Sequence, residues 1–114
     1  MMENFAGEKC TPCRGGVEPL RRADAEAMLQ QLPGWHLIEE NGQLRLQREF
    51  TWANFAEAMD FTNAVAAIAE AAGHHPRLVT EWGRVCVQWW THAIGGLHRN
   101  DFIMAARTDG CLPD

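Results

Sequence analysis

The chain has 114 residues, with ten Lys and Arg against 15 Asp and Glu, a formal net charge of -5, and 46% hydrophobic and 22% charged residues. This describes one domain with enough apolar surface for a core and excludes disorder as a description of the whole. The scattered basic residues argue against a nucleic-acid partner, and no apolar run reaches the roughly 18–20 residues of a membrane helix.

Residues 1–22 read as an irregular arm. The segment Cys10-Thr11-Pro12-Cys13-Arg14-Gly15-Gly16 carries a proline and a glycine pair, which break regular structure. Glu3 and Glu8 and the lack of an apolar centre argue against a secretory leader, so a cytoplasmic protein is expected. Residues 23–32 predict a short helix, with Asp24 in its first turn and Pro33-Gly34 as its stop. Residues 35–38 and 44–50 predict two strands. Asn41-Gly42 between them is the strongest short hairpin signal.

Thr51 is the expected N-cap of a long helix over 52–72. Its apolar stripe is read through Phe55, Met59, Thr62, Ala66 and Ala69, widened by Ala58, Val65 and Ala72. Gly73 stops it. Residues 78–82 and 84–91 predict two more strands around Gly83, with Val85, Val87 and Trp89 on one face. Asn100 or Asp101 is the expected cap of a last helix through Arg107, followed by a tail over 110–114. The fold class this order predicts is α+β. It is a two-layer sandwich with a four-stranded antiparallel sheet and three helices on one face. The domain spans 23–109.

Chemistry concentrates between Glu70 and Asp101. Glu70 and His74 are four apart, on one face if the helix continues that far. His74 and His75 fall where the helix ends, and His92 at the end of the last strand, so the three rings can converge with Trp82, Trp89 or Trp90 as flat walls. Histidine both gives and takes protons near neutral pH, so two of them across a substrate can act as acid and base without a metal. Spacing alone leaves structural or exposed histidines as an equal alternative. A three-histidine zinc site is a weaker one, since the helical His-x3-His pair is absent. Cys10-x2-Cys13 offers half a zinc site or a redox pair. Cys86 and Cys111 do not complete it, which favours an incidental or local structural role.

Glu70, three residues, His74-His75-Pro76, five residues, Trp82, nine residues, His92, eight residues, Asp101 resembles the signature of the pterin-4a-carbinolamine dehydratases. Gly96-Leu97, Pro33-Gly34-Trp35 and the Cys10-x2-Cys13-x-Gly-Gly arm resemble bacterial members. The resemblance implies dehydration of 4a-hydroxytetrahydropterin to quinonoid dihydropterin. That reaction recycles the cofactor of aromatic amino acid hydroxylases and uses no metal or redox cofactor. It implies His74 and His92 as acid/base groups and His75 as a third catalytic residue that holds and polarises the pterin. Glu70 would tune the cluster, and Asp101 would hold the loop after His92. The implied pterin contacts are Gly73, Trp90, Thr91 and Ala93, with Trp35 near the pocket mouth. Animal members have Asp at the Gly73 position and Glu at the Ala93 position, so affinity or side-chain preference is expected to differ. A homodimer or homotetramer is implied as well. The alternative reading is a non-catalytic dimerisation or coactivator-type interaction protein on the same fold.

Overall fold

The computed structural model describes residues 5–11 and 17–113. Cys13 and the glycine pair of the arm lie outside them. Three helices, α1 (Arg22–Leu29), α2 (Phe55–Ala72) and α3 (Arg99–Asp109), alternate with four strands, β1 (His36–Glu40), β2 (Gln43–Thr51), β3 (Arg77–Glu81) and β4 (Arg84–Trp89). Short 3-10 turns occupy Phe5–Gly7 and His92–Ile94. The strands form one open antiparallel sheet in the order β1-β2-β4-β3, so the architecture is the α+β sandwich the element order predicts.

Local chemistry explains most boundaries. Asn41 (φ 53°) and Gly42 (φ 75°) both take positive φ, as the tight turn joining β1 to β2 demands. Alternation then sorts the strands. Leu46 and Phe50 of β2 stand opposite Trp89 and Val85 of β4, and all four are buried toward the helices. On the other face, Arg45 donates to Gln88 at 3.0 Å and Gln88 donates to Gln47 at 2.7 Å. From the helical layer, Ala58, Phe61, Val65 and Ala69 of α2 and Phe102 and Ile103 of α3 fill the same core, and Ala25 of α1 joins it. Each fully buried large apolar side chain contributes about 1.5–3 kcal/mol.

Several expected boundaries shift. Thr51 does not cap α2: it is the last residue of β2, paired with Arg84. Asn54 is the cap, its side-chain oxygen accepting from the Glu57 N–H at 2.8 Å. The buried stripe of α2 also runs through Phe61 rather than Phe55, which is 49% exposed. A helix with alanines on all sides leaves the phase of its stripe to the partner surface. The cap of α3 is neither Asn100 nor Asp101 but His98. Its Nδ1 accepts from Asn100 N–H at 3.0 Å, while Asp101 accepts from His98 N–H at 2.9 Å.

Residues 5–8 of the arm are bound to the domain. Phe5 is buried, 5.9 Å from the Phe102 ring, and Arg99 makes a two-point contact with Glu8, both bonds at 2.7 Å.

Candidate active site

Gly73 ends α2 in the left-handed conformation, φ 65° and ψ 27°. Its N–H reaches the Ala69 and Glu70 carbonyls, and His74 N–H returns to Ala69 at 3.2 Å. This closure turns the chain sharply out of the helix at a position suited to glycine. His74 and His75 therefore leave the helix end toward the sheet. Beyond β4, Thr91 N–H donates to the Gly96 carbonyl at 2.8 Å and closes a small loop carrying His92 and Ala93. The two segments face one cavity of about 410 Å³, lined by Ala72, Gly73, His74, His75, Thr91, His92 and Ala93, and also by Cys10, Thr11 and Asn100. That volume suits a small organic ligand.

Asp101 organises this cavity from beneath. It is fully buried, and its Oδ1 meets His74 Nε2 at 2.6 Å. Its Oδ2 accepts from Thr91 Oγ1 at 2.8 Å and from His98 N–H at 2.9 Å. One carboxylate thus joins the end of α2, the end of β4 and the start of α3. A carboxylate held by two other donors fixes the proton of His74 on Nε2 and leaves Nδ1 to exchange a proton with a ligand. The ring also stacks on buried Trp89, with centroids 5.6 Å apart and planes at 15°. His75 is held differently: its Nε2 meets Glu70 Oε1 at 2.5 Å, and the pair is exposed. His92 rests on Trp90, with centroids 4.3 Å apart, and Arg45 covers the Trp90 ring at 3.8 Å. Trp90 therefore backs His92 instead of lining the cavity.

Three more tryptophans, Trp35 expected near the pocket mouth and Trp82 and Trp89 offered as walls, stand elsewhere. Trp35 is buried in the core, its indole N–H donating to both Asp109 oxygens at 3.0 Å and its ring edge-on to Phe50. It is not among the lining residues; the core has more apolar area to offer its ring than a cavity rim has. Trp82 is 70% exposed at the β3–β4 turn, and Trp89 lies in the core beneath His74. Conversely, Cys10, Thr11, Asn100 and the cap residue His98 belong to the site or its support, and sequence reasoning missed them. The one available signal was His98-x-x-Asp101, an N-cap and acidic N3 spacing hidden by an unusual cap residue. Burial pushes the Cys10 thiol above its usual range, outweighing the nearby Arg107, so the thiol is neutral at physiological pH. Among the described residues, no three His, Cys, Asp or Glu side chains gather as metal ligands, and no helix is long and apolar enough to cross a membrane.

The fold and cavity define a small α+β protein with a carboxylate-backed histidine facing a second histidine segment. A family model described as Pterin 4 alpha carbinolamine dehydratase matches residues 18–111. A protein of Chlorobium limicola, provisionally named a pterin-4-alpha-carbinolamine dehydratase, is 57% identical over 101 residues, covering 89% of each chain. One of Microcystis aeruginosa, similarly named, is 52% identical over 108 residues, covering 95% of this chain and 93% of the relative. The crystal structure of a transcriptional coactivator/pterin dehydratase from Brucella melitensis superposes with a TM-score of 0.75 at 27% identity, over 84% of this chain and all of the other. The chain belongs to the pterin-4a-carbinolamine dehydratase family, and its relatives' names support a dehydratase activity.

Proposed function

We propose that this protein converts 4a-hydroxytetrahydropterin to quinonoid dihydropterin and water by histidine acid/base catalysis, recycling the tetrahydropterin of aromatic amino acid hydroxylases. The carrying observation is His74, held by the buried Asp101 carboxylate and facing the same cavity as His92. The reaction breaks the C4a–OH bond and removes the N5 proton, with no change of oxidation state across substrate and water. His74, with Nε2–H held by Asp101, accepts the N5 proton at Nδ1. His92, as imidazolium, gives its proton to the departing hydroxyl, which leaves as water. Proton exchange with solvent then resets both rings, so the step requires no metal or redox cofactor. Each well-placed group supplies about 10²–10⁴-fold. His75, steered by Glu70, polarises the bound pterin, and Gly73, Thr91 and Ala93 border it. The sheet edges β1 and β3 favour self-association as a homodimer or homotetramer, and a cytoplasmic location suits the absence of a membrane-spanning helix among the described residues.

The test follows quinonoid dihydropterin formation from 4a-hydroxytetrahydropterin above a no-enzyme blank. The wild type should accelerate it, and His74→Ala and His92→Ala should each lose about 100-fold or more in kcat. Full activity in both variants would overturn the roles. An inert wild type would overturn the function.

A further inference from the structure

The cavity has a third wall that the histidine segments do not supply. Gly73 has no side chain and Ala93 only a methyl group, so beyond the histidines these segments bring few polar atoms to a ligand. Cys10 and Thr11 come from the other end of the chain and complete the lining. They are held in place by an anchor. Asn100, only 3% exposed, accepts from Thr11 N–H at 2.9 Å through Oδ1 and donates through Nδ2 to the Thr11 carbonyl at 2.6 Å. The amide thus satisfies both backbone groups of one arm residue, as a neighbouring strand would. Just upstream, Arg99 holds Glu8, Arg107 bonds the Glu8 and Ala6 carbonyls, and Phe5 is buried against Phe102. Four successive contacts along residues 5–11 exceed what a passive tail needs, and they end at the cavity.

We propose that Cys10 and Thr11 form a substrate-contacting wall and that Asn100, which clamps them there, is a positioning residue that sets substrate affinity. The inference rests on the dehydratase reading and adds the surface that recognises the part of the pterin facing away from the histidines. Asn100 neighbours Asp101 in the first turn of α3, so one helix start fixes both the catalytic ring and the opposing wall. The two duties are separable: Asp101 acts on proton transfer, Asn100 on binding.

The experiment uses the full chain and two readouts. In steady-state dehydration, Asn100→Ala should raise KM about tenfold, and Thr11→Ala and Cys10→Ala two- to fourfold, with kcat within twofold of wild type in all three. In the second, iodoacetamide alkylation of wild-type Cys10 is followed by peptide mass spectrometry at alkaline pH. Saturating 7,8-dihydrobiopterin, with its binding measured in parallel by equilibrium dialysis, should slow it at least tenfold. Should Asn100→Ala fail to fold in a thermal scan, Thr11→Ala and the alkylation experiment decide the matter. An unchanged KM in the folded variants, a loss of kcat at constant KM, or an unprotected Cys10 in protein with bound pterin would overturn the wall while leaving the dehydratase reading intact. A wild type that neither binds the pterin nor turns over the carbinolamine would overturn both.

Discussion

His74 shares its Nε2 with a carboxylate that is fully buried, and its own side chain is 14% exposed; His75, one residue on, shares its Nε2 with a carboxylate that is 79% exposed, and its side chain is 60% exposed. Both contacts have the same chemistry and nearly the same length. They differ in what surrounds them. Asp101 is held by two further donors in a region of low dielectric, where a charge-assisted hydrogen bond is strong and a misplaced polar atom is costly. Glu70 is a lone side chain on the last turns of α2, where an ion pair is worth about 0–1 kcal/mol and is weakened by salt. Adjacent histidines can thus be given unlike duties, one with a fixed tautomer and ring plane and the other free to adapt to a ligand.

The largest effect expected from breaking this contrast is at Asp101. In Asp101→Asn the side-chain oxygen still accepts from Thr91 and His98, so the new amide donates to His74 Nε2 and drives its proton to Nδ1. The ring then presents the wrong atom to the cavity. A kcat loss of about 10²- to 10⁴-fold is expected with the fold retained, the range that a well-placed proton-transfer group supplies. Imidazole nitrogen NMR should show the exchanged tautomer. A kcat within threefold of wild type would make the buried partner a structural group only.

His75 lies next in the order. His75→Ala should cost about tenfold in kcat/KM, mostly through KM, and Glu70→Gln no more than about twofold, shrinking further at high salt. Steady-state assays at two ionic strengths read both. A loss at Glu70 equal to that at Asp101 would erase the distinction.

The smallest effect concerns a third carboxylate. Asp109 is half-buried between Trp35 and Arg48, and burial raises its pKa despite those two partners. A raised folded pKa means the native state binds more protons than the unfolded chain. Its stabilising contribution is therefore complete below the ordinary aspartate value of about 4 and is lost as pH rises through the folded value. Asp109→Asn, which keeps an acceptor for Trp35, should gain on the wild type in Tm by a few degrees on the order of 1–4 °C as pH rises across that window. A Tm difference that stays flat with pH would place the charge outside the folding equilibrium.

The legible parts of the molecule are those encoded by neighbours in the chain. Asn41-Gly42 specified a hairpin because both residues tolerate positive φ. Gly73 specified the end of α2, and with it the point where two histidines leave the helix. The long spacing pattern from Glu70 to Asp101 pointed to the family before any contact was known. The misread parts depend on distant partners. Phe55 and Phe61 sit on the same apolar helix, and only the sheet beneath decides which is buried. The resemblance placed Trp35 near the pocket mouth, but Asp109, 74 residues away, draws its indole into the core. Cys10 and Thr11 have no local feature that places them by the histidines; their anchor, Asn100, is 89 residues from Thr11.

By itself the sequence determined the α+β class, the β1–β2 hairpin turn, the C-terminal end of α2 and the histidine-bearing segments, since these follow from backbone preferences and periodicity over a few residues. Only the tertiary structure decided which histidine meets the buried carboxylate, that His98 caps α3, and that the arm closes the third side of the cavity. Those outcomes come from side chains competing for burial and for hydrogen-bond partners across the whole chain, and no local window contains that competition.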